Sequence, residues 1–148
     1  MSKPFTLQTV LELMQARADE ATQALARLIA NERDARAKLA MLRQYRDEYA
    51  NRFRQASLAG LTPSAWNNFQ EFLNRLDEAI AAQAQAVAQQ ARNTANGQEH
   101  WKHQQKKLKA IDTLSERHRC QEEAREQRLD QKQQDEFATR FRQKHSQD

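Results

Sequence analysis

A chain of 148 residues with only two glycines and two prolines has room for one domain and for very few tight turns. Its 39% apolar and 30% charged residues and mean hydropathy of -1.04 belong to long helices and coiled coils, and argue against a compact multilayer core. The net charge of +4 and pI near 9.5 would suit an acidic partner. Acids alternate with bases nearly everywhere, however, and no long uninterrupted Lys/Arg run occurs, so the field is weak beyond a Debye length and nucleic-acid binding is the weakest reading.

No stretch approaches the roughly 20 apolar residues of a membrane helix, and Met1-Ser2-Lys3-Pro4-Phe5 lacks an apolar signal core. The expectation is a cytoplasmic protein. The single Cys120 cannot form an intrachain disulfide and reads as an incidental helix-surface residue.

From Leu7 the apolar positions run Leu7, Leu11, Met14, Ala18, Ala21, Leu25, Leu28, Ala35, Leu39, Leu42, Tyr49 and Phe53. Their steps of four and three make a heptad seam, interrupted only by Glu32 and Arg46, long enough to specify a coiled coil. Thr6 is placed to cap this first helix, predicted over about 6–58. The turn, at about 59–63, is marked by Gly60, suited to a left-handed helix end, and by Thr62-Pro63, a cap followed by proline at the first helical position.

One turn between two long helices makes them antiparallel. The second helix, predicted over about 64–140, carries its seam through Phe69, Leu73, Leu76, Ile80, Val87, Trp101, Leu108 and Ile111. Gln83, Gln90, Thr94 and Gly97 dilute its middle, and Gly97, costing about 1 kcal/mol against alanine, reads as a soft spot or bend. The second helix outruns the first. Past about Glu116, polar residues take the core positions, so this overhang is expected to fray or to order on a partner, although Leu129, Phe137 and Phe141 could form one sticky stripe. The fold class is therefore all-α: two long helices forming an antiparallel coiled-coil hairpin in a single domain, the second helix longer and overhanging.

Catalysis needs groups converging in a dry pocket, and a two-helix seam is too thin to make one. No phosphate loop, paired-cysteine motif or zinc-protease motif is present, and neither enzymatic activity nor a cofactor is expected. His100 and His103 share a helix face beside Glu99, but zinc wants three or four ligands, and surface histidines are the simpler reading. The aromatic residues say more. Tyr49, Phe53, Phe69 and Trp101 lie in the seam, whereas Tyr45 and Phe72 fall beside it and are brought to similar height by folding at Gly60. Either they form an exposed patch for a protein partner or they broaden the core near the turn; Trp66 could close the hairpin end.

Three segments resemble the flagellar export protein FliJ family of the bacterial type III secretion apparatus. They are Leu39 to Tyr49 (LAMLRQYRDEY), Trp66 to Phe72 (WNNFQEF) followed by Leu76, Ala79 and Ile80, and Arg128 to Ala138 (RLDQKQQDEFA). Coiled-coil packing does not require the last string. The resemblance implies an adaptor that binds the hexameric export ATPase FliI and the cytoplasmic domain of the export gate FlhA, assists export chaperones, and sits at the cytoplasmic face of the inner membrane at the flagellar base. It places the paired terminal parts of the helices in the ATPase ring and the gate-binding surface at Leu42, Tyr45, Tyr49, Phe72, Leu76 and Ala79. The protein is expected to be monomeric alone. A self-associating structural coiled coil, with Tyr45 and Phe72 buried between copies, is the alternative.

Overall fold

The computed structural model describes residues 2–146, with side chains from Thr6 onward. It holds two helices, α1 (Ser2–Ala59) and α2 (Pro63–Ser146), and no strand among the described residues. The turn is built as its residues dictate. Gly60 takes φ 97°, which a side chain would resist, and its N–H reaches the Ser57 carbonyl at 3.2 Å, closing α1. Thr62 Oγ1 accepts from the Ala65 N–H at 3.2 Å while its carbonyl accepts from Trp66 at 2.9 Å, and Pro63 occupies the first helical position, where its missing N–H costs nothing.

Two expectations are corrected at the chain ends. The α1 helix begins at Ser2, so Thr6 lies within it and is not its cap. Pro4 is compatible with this start because the first four N–H groups of a helix have no intrahelical partner to lose. At the other end α2 continues unbroken to Ser146, although every side chain from Arg125 to Ser146 is exposed. Good helix formers and local ion pairs such as Glu122–Arg125 (3.8 Å) accompany that continuity.

Where the sequence reads as one domain, contacts divide the helices into two compact units. The first, Asp19–His103, contains the turn. Cross-helix bonds pair Arg46 with Asp77, Ala35 with Gln83, Leu28 with Thr94 and Thr22 with Trp101; one number rises as the other falls, which fixes the antiparallel register. The seam read from the heptads is the core: Ala21, Leu39, Leu73, Leu76 and Val87 are buried, and Leu25, Leu28, Ala35, Leu42, Tyr49, Phe53, Phe69 and Ile80 are half-buried. Among the described residues no side chain larger than alanine is fully enclosed, as a seam only two helices thick demands.

Three polar groups in the seam reach the opposite helix, Thr94 sharing its hydroxyl with the Gln90 carbonyl of its own helix at 3.0 Å, whereas Gln90 Oε1 is buried without a hydrogen-bond partner. Gln83 Nε2 donates to the Ala35 carbonyl at 3.0 Å, Thr94 Oγ1 to that of Leu28 at 3.3 Å, and Trp101 Nε1 to Thr22 Oγ1 at 3.0 Å. The α2 helix is unbroken through Gly97. A Cβ there would overlap Leu28 Cδ1 and sit 3.8 Å from Leu25 Cδ1, so the missing side chain is the hole into which Leu28 packs.

The second unit comprises the residues up to Ala18 and those from Gln104 onward. Ala18 and Gln104 are buried; Leu7, Val10, Leu11, Met14, Leu108, Ile111, Ser115 and His118 are half-buried. The first turns of α1 end beside residues 114–121, since Thr6 and Leu7 line one opening with Leu114, Arg117, His118 and Gln121. Beyond that point α2 has no helix beside it among the described residues.

Candidate protein-binding surface

Near the turn, α1 and α2 contribute five rings that touch in series. Phe72 and Tyr49 have centroids 4.4 Å apart, Tyr49 and Phe69 5.2 Å, Phe69 and Phe53 5.3 Å, and Phe53 and Trp66 4.8 Å, all tilted. Tilted contacts of this kind suit the ring quadrupoles and contribute roughly 0.5–1.5 kcal/mol each beyond area burial. The ladder arises because Tyr49 and Phe53 occupy successive seam positions on α1 while Trp66, Phe69 and Phe72 recur every three residues on α2. Trp66 packs on Phe53 and leaves nearly half its surface open.

The exposed part of the surface lies on this ladder. Tyr45 is 53% exposed and lies one turn before Tyr49 on α1; Phe72 is 37% exposed and stacks on Tyr49. Phe72 therefore rests on the half-buried Tyr49, and Tyr45 follows one helical turn away on α1. Leu42 is half-buried and Ala79 exposed, but Leu76, at 8%, faces the seam and presents almost nothing to solvent. Two further exposed apolar side chains not singled out from the sequence are Met41, 62% exposed and four residues before Tyr45, and Leu58, 89% exposed at the turn. Met41 had a signal, being apolar and off the heptad count one turn from an off-seam ring.

Charges frame the patch. Arg46 donates to Asp77 across the seam at 2.9 Å, and this bond, reinforced by the Asp77 charge, pushes the guanidinium up from its ordinary value. Arg75 pairs with Glu71 at 2.7 Å. These pairs are exposed and worth at most about 1 kcal/mol, so their role is to rim the apolar patch.

Elsewhere the chemistry is sparse. Among the described residues no three His, Cys, Asp or Glu groups come together as a metal site, and His100, His103 and Cys120 are exposed. No described helix is long and apolar enough to cross a membrane.

Two long helices packed as an all-α coiled-coil hairpin, with no strand among the described residues, define the class of protein. Comparison with known proteins narrows this class. The family pattern described as "Flagellar FliJ protein" matches residues 2–146, and the chain belongs to that family. It is 31% identical over 140 residues to the flagellar FliJ protein of Escherichia coli K12 and 28% identical over 140 residues to that of Salmonella typhi, each alignment covering 95% of both chains.

Proposed function

We propose that this chain is a soluble component of the flagellar protein export apparatus that works by contact alone, linking the export ATPase FliI to the cytoplasmic domain of the export gate FlhA and assisting export chaperones. The observation that carries the reading is the pair of exposed off-seam rings, Tyr45 and Phe72, the latter held against Tyr49 beside a buried seam. An apolar patch of this kind, rimmed by charges, is the form a protein contact takes.

In this reading Tyr45, Phe72 and Ala79 touch the gate domain, Leu42 and Tyr49 contribute their open edges, and Leu76 supports the patch from beneath. The paired terminal parts of α1 and α2 engage the ATPase, so the two contacts fall in different units of the chain. Binding rather than hydrolysis is the mechanism: a helical pair that docks two partners couples them through its own packed seam. The protein acts in the cytoplasm, at the cytoplasmic face of the inner membrane at the flagellar base.

Pull-down of purified export ATPase and of the gate's cytoplasmic domain tests both contacts at once. The native chain is expected to retain both, and Tyr45→Ala/Phe72→Ala to lose the gate domain alone. Retention of the gate domain by that variant would remove the patch from the mechanism, and binding of neither partner by the native chain would remove the adaptor reading altogether.

A further inference from the structure

We infer that the exposed end of α2 is a self-complementary surface that pairs, antiparallel, with the same segment of a second copy. Past the start of α1 no described helix covers α2, and Leu129 and Phe137 stand 54% and 72% exposed on a regular helix, while Phe141, off the face those two share, lies edge-on to His145 at 4.2 Å. What occupies that face is written in the order of its residues. Glu122, Glu126, Leu129, Gln133, Phe137, Arg140 and Lys144 step by four, three, four, four, three and four. At about 100° per residue they fall within a stripe about 80° wide, and Leu129 lies on the heptad count of Leu108, Ile111 and His118.

The stripe is a palindrome in spacing and an anti-palindrome in charge. Two acids lie before its apolar centre and two bases after it, with Gln133 in the middle. Laid antiparallel on itself about Gln133, it sets Glu122 against Lys144, Glu126 against Arg140 and Leu129 against Phe137, twice over by symmetry. Laid parallel, it sets acid on acid and base on base. The wider composition agrees: residues 122–136 hold six acids and three bases, and residues 137–146 hold three bases and no acid. Glu122 has only a 3.8 Å contact to Arg125, so most of its hydrogen-bonding capacity is open. With one apolar layer and its symmetry mate at the centre, the pairing is weak: the chain is monomeric when dilute and associates when concentrated or tethered.

Sedimentation of the full chain from about 1 µM to about 1 mM tests this, with circular dichroism confirming that each variant keeps its helices. The native chain is expected to shift from monomer to dimer, less so at high salt. Arg140→Glu/Lys144→Glu and Glu122→Lys/Glu126→Lys should each associate at least tenfold more weakly, and their equimolar mixture should recover, because every charged layer is again opposite in sign. Donor and acceptor dyes on Cys120 report the orientation: antiparallel pairing separates the two cysteines by about 40 Å along the axis, whereas parallel pairing brings them to about 10 Å. A native chain that stays monomeric throughout, charge variants that associate as well as native, a mixture that fails to recover, or closely spaced Cys120 labels would each overturn the inference.

Discussion

Truncating Leu76 and truncating Tyr45 should have opposite effects, although the two residues lie on one patch. Leu76 is 8% exposed and packs into the seam, so Leu76→Ala removes three carbons from a place that only two helices can close over. Buried Leu→Ala changes cost about 2–5 kcal/mol, and a thin seam that can partly collapse belongs near 2–3 kcal/mol. For a chain of this size that lowers Tm by roughly 5–10 °C. Tyr45 is 53% exposed and makes no ring contact in the ladder; removing it should cost under about 1 kcal/mol and move Tm by no more than about 3 °C. Thermal unfolding by circular dichroism, run beside titration of the gate domain at a temperature where every variant is folded, separates the effects. Tyr45→Ala should lose binding and keep Tm; Leu76→Ala should lose Tm and keep most of its binding. If Leu76→Ala abolished binding with Tm unchanged, the assignment of Leu76 to packing and of recognition to the open rings would be wrong.

Leu28→Ala should destabilise the hairpin by about 1–2 kcal/mol, and adding Gly97→Ala should restore about 1 kcal/mol, because the new methyl fills the hole and improves helix propensity; additive effects in urea unfolding would contradict the packing of Leu28 over Gly97. Removing residues 125–146 should leave Tm within about 2 °C, since none of their side chains is buried, and a larger loss would mean the tail folds back. Asp77→Asn should cost about 0.5 kcal/mol at low salt and less at high salt. Arg46 is held above its ordinary pKa, so on the alkaline side the pair's contribution is lost only as pH rises through that raised value; the difference between Asp77→Asn and native should be constant from pH 6 to pH 9 by urea unfolding. Hydrogen exchange should be slower for Phe69–Ile80 amides than for Gln83–Gly97, where the seam is polar; equal rates would show that seam chemistry does not set local stability.

The seam and turn were legible because each is a local pattern: four-three spacing decides which residues face a neighbour, and Gly60, Thr62 and Pro63 each have one conformational use at a helix boundary. The packing role of Gly97 was not legible for the complementary reason. Whether a glycine weakens a helix or admits a neighbour depends on which residue stands opposite, and that requires the register that places Leu28 there. The helix start was missed because Pro4 and Thr6 look like punctuation, yet the first turn of a helix tolerates both. At the surface, exposure of Tyr45 and Phe72 followed from their off-seam positions. Leu76 carried two expectations at once, seam residue by spacing and surface residue by resemblance, and burial favours the first.

The placement of the rings has a consequence for affinity. A docking surface that must order itself on binding gives up part of its contact energy to conformational entropy, about 0.5–1.5 kcal/mol for each mobile side chain fixed. Phe72 is already held by Tyr49, Tyr49 by Phe69, and the seam beneath is closed by Leu73 and Leu76. Little remains to be ordered except Tyr45 and Met41, whose freedom lets the patch adapt to a partner. The tail of α2 is built on the opposite principle. Leu129 and Phe137 are largely exposed and Phe141 meets only its helix neighbour His145, so whatever binds there must supply the second wall, and specificity must come from the order of charges rather than from a preformed shape. A contact near the turn is therefore suited to being held, and a contact at the tail to being exchanged.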